Sequence, residues 1–173
     1  LQYSAAAQAA YSIGYTQLFA LITWTSVGLM GATSAVAGQN LGAGYPDRSE
    51  RAAKVAAVMG LVVASFVSLL FVLFPEQLFA VFALRPFGAD EGIAFELGSQ
   101  LLGYLAVSGF FVTVALTYTG ALQGTGDTRS PLYISIVSQL LLPIGLCTFL
   151  SLRPGLVAAD IWLAIVLRHL TRA

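Results

Sequence analysis

The sequence predicts an all-α membrane protein, a bundle of about five transmembrane helices. Two observations lead there. Only 9% of the 173 residues are charged and 58% are hydrophobic, with mean hydropathy +0.84, whereas a soluble domain carries roughly 25% charged residues to cover its surface. The few charges are also bunched, leaving uncharged runs at residues 1–46 and 97–126 that exceed the ~20 residues one span needs.

Each element follows from where the charges and helix breakers fall. The first helix is expected at about 10–41, long and tilted, after a short outside segment. Gly42, Ala43, Gly44, Tyr45 and Pro46 end it, because glycine accepts a left-handed cap and proline cannot continue a helix. The second, about 49–74, opens on the charged SERAAK and closes at Pro75. The segment EQLFAVFAL is apolar but short and is expected at the membrane interface. Asp90 and Glu91 open a third helix, about 90–122, where acids suit the positive end of the helix dipole. Ser130 and Pro131 open a fourth at about 131–150, with proline tolerated in the first turn and a kink expected at Pro143, which frees the carbonyl of Gln139. SLRPG leads to a fifth at about 156–172.

With alternating helices, one side of the membrane receives Arg48, Arg51, Lys54, Arg129, Arg168 and Arg172, and the other Arg85 and Arg153. The positive-inside rule then places the Gly-rich turns and the C-terminus in the cytoplasm of a multi-pass protein. Such a chain starts outside with an odd number of helices, begins without Met or a basic leader, and is expected to be a fragment with at least one helix upstream.

Several function classes lose support. Zero formal net charge gives no electrostatic footprint for nucleic acid. Cys147 and His169 are the lone members of their types, so no internal disulfide or multi-cysteine metal site is possible. GTGDT at 124–128 follows a spanning helix and lacks the Lys-Ser/Thr ending of a phosphate-binding loop. No nucleophile–base pairing stands out, and no enzyme and no cofactor are expected.

The helix faces supply the remaining candidates. Gly28, Gly31, Ala35, Gly38 and Gly42 form a small-residue face read as a helix–helix contact, and Gly98, Ala106, Gly109, Thr113, Thr117 and Gly120 form another. Opposite the second lie Tyr104, Ser108, Phe111, Ala115 and Tyr118. That face reads either as aromatic packing or as the wall of a pathway for bulky, often cationic molecules. Gln139 and Trp24 are further pathway candidates. Glu96 and Asp160 are shallow and read as structural, and His169 as a residue of the cytoplasmic interface.

Two stretches together carry a resemblance. SAVAGQNLGAGYPDRSERAAK at 34–54 and TGALQGTGDTRSPLYISIVSQ at 119–139 resemble the multidrug and toxic compound extrusion (MATE) transporters, in which a GQ-x-x-GAG turn and a later RG-x-GDTR-x-P turn end helices. Gly38, Gln39, Gly42, Ala43 and Gly44 match the first; Gly124, Gly126, Asp127, Thr128, Arg129 and Pro131 match the second. Gln123 replaces the commoner Arg, and Asp160 stands where Gly is usual.

The resemblance implies a twelve-helix, two-lobe transporter of which residues 1–173 are a partial C-terminal lobe, with the missing N-terminal lobe and the lipid bilayer as partners. It implies export of drugs and other small amphipathic or cationic substrates across the bacterial inner membrane, in exchange for protons or sodium ions. Gly42, Gly44, Gly124, Gly126, Asp127 and Arg129 would then shape cytoplasmic turns with a gating role. The family's first-lobe acid and seventh helix lie outside this chain, and no acid occurs between Leu97 and Gly126. H+ or Na+ therefore has no recognisable site here, and proton coupling through the other lobe is favoured. Alternatives are a lipid-linked oligosaccharide flippase, disfavoured by expected spans without Arg or Lys, and a non-transporting membrane remnant or subunit.

Overall fold

The computed structural model describes residues 8, 10–82, 91–151 and 158–172, and among these there is helix but no strand. Residues 1–7, Arg85, Asp90 and Arg153, which figure in the expected outside segment, helix start and charge count, lie outside the described residues.

The first helix, α1, spans Ser12–Gly42. It opens as a π-helix over Ser12–Leu18 and continues as an α-helix over Phe19–Gly42. α2 is Pro46–Leu73, with Pro46 in the first turn, where its missing N–H costs nothing. It stops just short of Pro75, which disfavours a helical residue before it. α3 is the short Pro75–Phe82, and α4 is Glu91–Gly124. α5 runs as Arg129–Ile136, a π-turn Val137–Leu141 and Leu142–Ser151. α6 is Ala158–Leu170.

The kink expected at Pro143 takes the form of that π-turn. The Leu142 N–H donates to Val137 O, five residues back, so the ladder has already slipped by one residue where proline would interrupt it.

α1, α2 and α4 form the packed core. Of the three long apolar helices, α4 is 61% buried across its spanning window, against 22% for α1 and 33% for α2, so α4 is the central one. Leu18 and Ile22 of α1, Ala64, Val67 and Phe71 of α2, and Leu101, Leu102, Leu105 and Leu116 of α4 pack into one cluster.

Polar ties set the register. Ser26 Oγ and Thr113 Oγ1 share a hydrogen bond of 2.9 Å between α1 and α4. Ser68 Oγ donates to Ala106 O at 2.9 Å, and Ser49 Oγ to Ala37 O at 3.0 Å. Each bond satisfies a buried hydroxyl that an apolar surrounding would otherwise penalise.

Close backbone approach distinguishes α1 and α4. A Cβ on Gly120 would lie 2.2 Å from Met30 O, one on Gly124 would lie 2.1 Å from Ser34 O, and one on Gly38 would lie 2.5 Å from Gly124 O. Residue numbers climb together along this seam, from Ile22 against Gly109 to Ser34 against Gly124, so the two helices run parallel and end at the same face.

The small face expected on α1 is largely open among the described residues. Gly28, Gly31 and Gly42 have nothing within 4 Å of a notional Cβ, and Ala35 is exposed. Only Gly38 of that set packs tightly; Ile22, Ser26, Thr33 and Ala37 are buried instead. The physical reason is that backbones can approach when one partner lacks a Cβ, and here α4 supplies most of those gaps.

α3 is more than an interfacial strap. Phe79 is 3% exposed and fills the space over Gly98, where a Cβ would meet its ring at 2.4 Å. It also meets Phe95 edge-on at 6.3 Å.

Candidate functional site

The two glycine turns have the same geometry. After α1, the Tyr45 N–H donates to Asn40 O at 2.8 Å and the Gly44 N–H to Leu41 O at 3.0 Å. After α4, the Asp127 N–H donates to Leu122 O at 2.9 Å and the Gly126 N–H to Gln123 O at 3.1 Å. Both patterns are the paired six-to-one and five-to-two bonds of a Schellman cap. Gly44 and Gly126 occupy its left-handed position, with φ of 81° and 92°. A side chain there would be strained by about 1–2 kcal/mol. Because α1 and α4 are parallel, the caps lie at one end of the bundle.

Asp127 joins the second cap to the next helix. Its Oδ2 accepts from Ser130 Oγ at 2.6 Å, and its Oδ1 accepts from the Ser130 N–H at 3.0 Å and the Arg129 N–H at 3.2 Å. Arg129 thus holds the turn through its backbone. Asp127 does the capping that Thr128 does not, since Thr128 makes no side-chain cap bond. These bonds, the Ser130 hydroxyl first, hold the Asp127 carboxyl below its ordinary pKa.

A depressed pKa gives stability that is complete above the unfolded value, near pH 4, and is lost as pH falls through the folded value. Acid unfolding of the detergent-solubilised protein should therefore contain an Asp127 component below about pH 4. Asp127→Asn should flatten that component, and unchanged acid sensitivity would contradict this capping role.

The pathway candidates are spread over several flanks. Ser108 is wholly buried and its Oγ has no hydrogen-bond partner, so it faces the packed interior of the bundle and no open channel among the described residues. Phe111 is half-buried and Tyr118 is exposed beside Lys54 of α2. Tyr104 lines a groove of about 340 Å³ between α4 and α6 with Gln100, Gly103, Val107, Leu163 and Val166. Trp24 is 74% exposed on the open face of α1, and Gln139 is exposed within the π-turn of α5. Glu96 is exposed in the second turn of α4.

The opposite end of the bundle holds a cluster that the sequence reading did not assemble. Tyr11 stacks on Tyr15 at 5.2 Å and on Trp162 at 6.1 Å, and Tyr15 on Phe19 at 5.5 Å. Arg168 Nη2 donates to Tyr15 Oη and lies 3.1 Å from His169 Nε2. His169 is 5% exposed against Phe19, and Arg172 Nε is buried without a partner.

Phe19 is 23 residues before Gly42, or about 35 Å along a helix. The expectation that Arg168 and His169 lie at the same surface as the glycine turns is thus corrected. At ~1.5 Å per residue the 13 residues of α6 cover only about 20 Å, so α6 pairs with the first turns of α1 and stops far short of the caps. The Arg168 bond reaches Tyr15, the fourth residue of α1. The Tyr11–Tyr15–Phe19 spacing of four was a visible signal of one aromatic face.

The family model described as MatE matches residues 1–149, which include both caps and the whole close-packed α1–α4 seam. The chain belongs to the MatE family.

Similar MatE-family proteins include a "Probable multidrug resistance protein NorM" of Deinococcus radiodurans, 32% identical over 143 residues, covering 79% of this chain and 30% of that protein. A protein of the same name from Pasteurella multocida is 29% identical over 155 residues, covering 87% of this chain and 32% of the relative. A third, from Bradyrhizobium diazoefficiens, is 29% identical over 164 residues, covering 92% and 34%. The chain thus spans about a third of the length of the curated relatives it matches. No solved structure matches it. MatE-family proteins are transporters and not enzymes, which agrees with a sequence that offered no nucleophile or base. A membrane-embedded, all-helical fold follows from the same membership together with the three apolar spans.

Proposed function

We propose that this chain is part of the C-terminal lobe of a secondary antiporter that exports drugs and other amphipathic organic cations in exchange for protons or sodium ions. The observation that carries this reading is the pair of matching caps at one end of the tightly packed α1–α4 seam, in a chain whose relatives are named for multidrug resistance. A rigid pair of parallel helices with shared ends suits a lobe that rocks as a unit against another. The open face of α1, with Trp24, Gly28, Gly31 and Ala35, suits contact with the N-terminal lobe or with substrate.

The cap-bearing face is assigned to the cytoplasm of a bacterial inner membrane on Arg48, Arg51, Lys54 and Arg129 alone, since Arg168 and Arg172 lie toward the other end. The caps themselves are assigned a structural and gating role. No site for the coupling ion is assigned to this chain. The intact transporter should export a fluorescent cationic dye, and export should stop when the ion gradient is dissipated. Absent or gradient-independent export would overturn the reading.

One observation favours a second reading, a lipid-linked oligosaccharide flippase. Arg168, His169 and Arg172 gather at the end of the bundle opposite the caps, where guanidinium groups could receive a phosphate. Binding of a lipid pyrophosphate without dye export would select it.

A further inference from the structure

We propose that the groove between α1 and α2 binds an anionic glycerophospholipid drawn from the leaflet at the cap-bearing face. The proposal rests on the chain's being embedded in a membrane and not on which substrate is exported.

The groove has a volume of about 340 Å³. On α1, Leu29, Ala32, Thr33 and Val36 line it; on α2, Arg48, Arg51, Ala52, Val55, Ala56 and Met59 do. Both sets follow helical three-and-four spacing, so each is one continuous stripe. Small side chains leave the groove unfilled, since Ala32, Ala52 and Ala56 are where larger residues would occupy it.

The chemistry is graded along its length. Residues 46–54 of α2 carry five charges, Asp47, Arg48, Glu50, Arg51 and Lys54, and residues 55–74 carry none. The groove crosses that boundary, so its lower part lies at acyl-chain depth and its rim at headgroup depth. Glu50 is engaged by Lys54. The Arg48 guanidinium rests 4.7 Å from the centre of the Tyr45 ring, a contact that orients the cation without cancelling its charge.

An occupant must therefore be apolar below and anionic above, as one molecule. A phospholipid of the adjoining leaflet meets both conditions and is already at the right depth. A guanidinium pair is well suited to a phosphodiester, which it can grip through paired hydrogen bonds, and basic pockets between spanning helices are a recurring form of lipid headgroup site. Arginines that merely snorkel to the interface would need no apolar groove beneath them.

The test is native mass spectrometry of the intact transporter titrated with phosphatidylglycerol and, separately, phosphatidylcholine. The wild type should retain phosphatidylglycerol preferentially. Arg48→Gln combined with Arg51→Gln should weaken that retention about thirtyfold, the effect of two basic residues at an anionic surface. Ala56→Phe keeps both charges but fills the groove, and should weaken it as well. Equal retention by the charge variant would overturn the proposal. So would full retention by Ala56→Phe, which would reduce the effect to surface attraction. A photoreactive phosphatidylglycerol on the wild-type protein gives a readout independent of variant folding. Labelling within residues 29–36 and 48–59 is the expected result, and labelling confined to other helices would overturn the site.

Discussion

Gly124→Val is expected to push α1 and α4 apart and to cost about 3 kcal/mol or more, the upper part of the range for overpacking a close contact. A Cβ at this position would lie 2.1 Å from Ser34 O and 2.7 Å from its carbonyl carbon. These are backbone atoms and cannot rotate away as a side chain could. Gly120 faces the same obstacle at Met30 O, 2.2 Å away, so relaxation at one site is blocked by the other. The Ser26–Thr113 hydrogen bond pins the seam further along, and separation would leave its buried hydroxyls without each other. Thermal unfolding of the detergent-solubilised transporter should show a large loss for Gly124→Val. Gly145→Val on α5, where nothing lies within 4 Å, should change stability by about 0.5 kcal/mol or less, as surface changes do. Equal effects at the two sites would mean that the seam is not where the bundle is held.

Phe79→Ala is expected to cost about 3 kcal/mol, the low end for a buried phenyl truncated to a methyl. The ring closes the end of the bundle opposite the caps. It covers Gly98 and reaches Gly14, whose notional Cβ would be 3.8 Å from its tip. Removing it opens a void between Gly98, Gly14 and Phe95, and the two glycines have no side chain with which to collapse inward. Much of the benefit of burying Phe79 is packing rather than escape from water, because the alternative for the ring near a bilayer is lipid. That is the reason for choosing the low end. Phe79→Leu should recover more than half of the loss. A melting temperature unchanged by Phe79→Ala would show that α3 lies on the bundle without anchoring it.

The architecture was legible where charge and backbone chemistry decide it. The uncharged run from Leu97 to Gly126 marks α4, and Gly44 and Gly126 mark caps because only glycine takes their positive φ without strain. Which face of α1 packs was not legible. Gly28, Gly31 and Ala35 looked like a contact stripe, but a close approach needs a missing Cβ on only one of two helices. Composition does not say that α4 provides it through Gly120 and Gly124. The π-helical opening of α1 at Ser12–Leu18 also has no composition signal, whereas the one at Val137–Leu141 was foreshadowed by Pro143.

The candidate site was less legible than the fold. Helical spacing grouped Ser108 with Tyr104 and Tyr118, but α4 is covered on several sides and that grouping divides between interior and surface. Arg168 was placed with the C-terminal basic residues at the caps because a fifth helix was assumed to cross the bilayer. Its partner Tyr15 lies 153 residues earlier in the chain, a pairing that no local pattern encodes.

The chain is proposed to form part of one lobe of a gradient-driven exporter of organic cations. The most direct measurement reconstitutes the intact transporter in vesicles and follows a fluorescent cationic dye while a proton gradient or a sodium gradient is imposed. Dye movement driven by one of these gradients and abolished by collapsing it is the expected result. Dye movement that ignores both gradients, or no movement by a folded and correctly inserted protein, would contradict it.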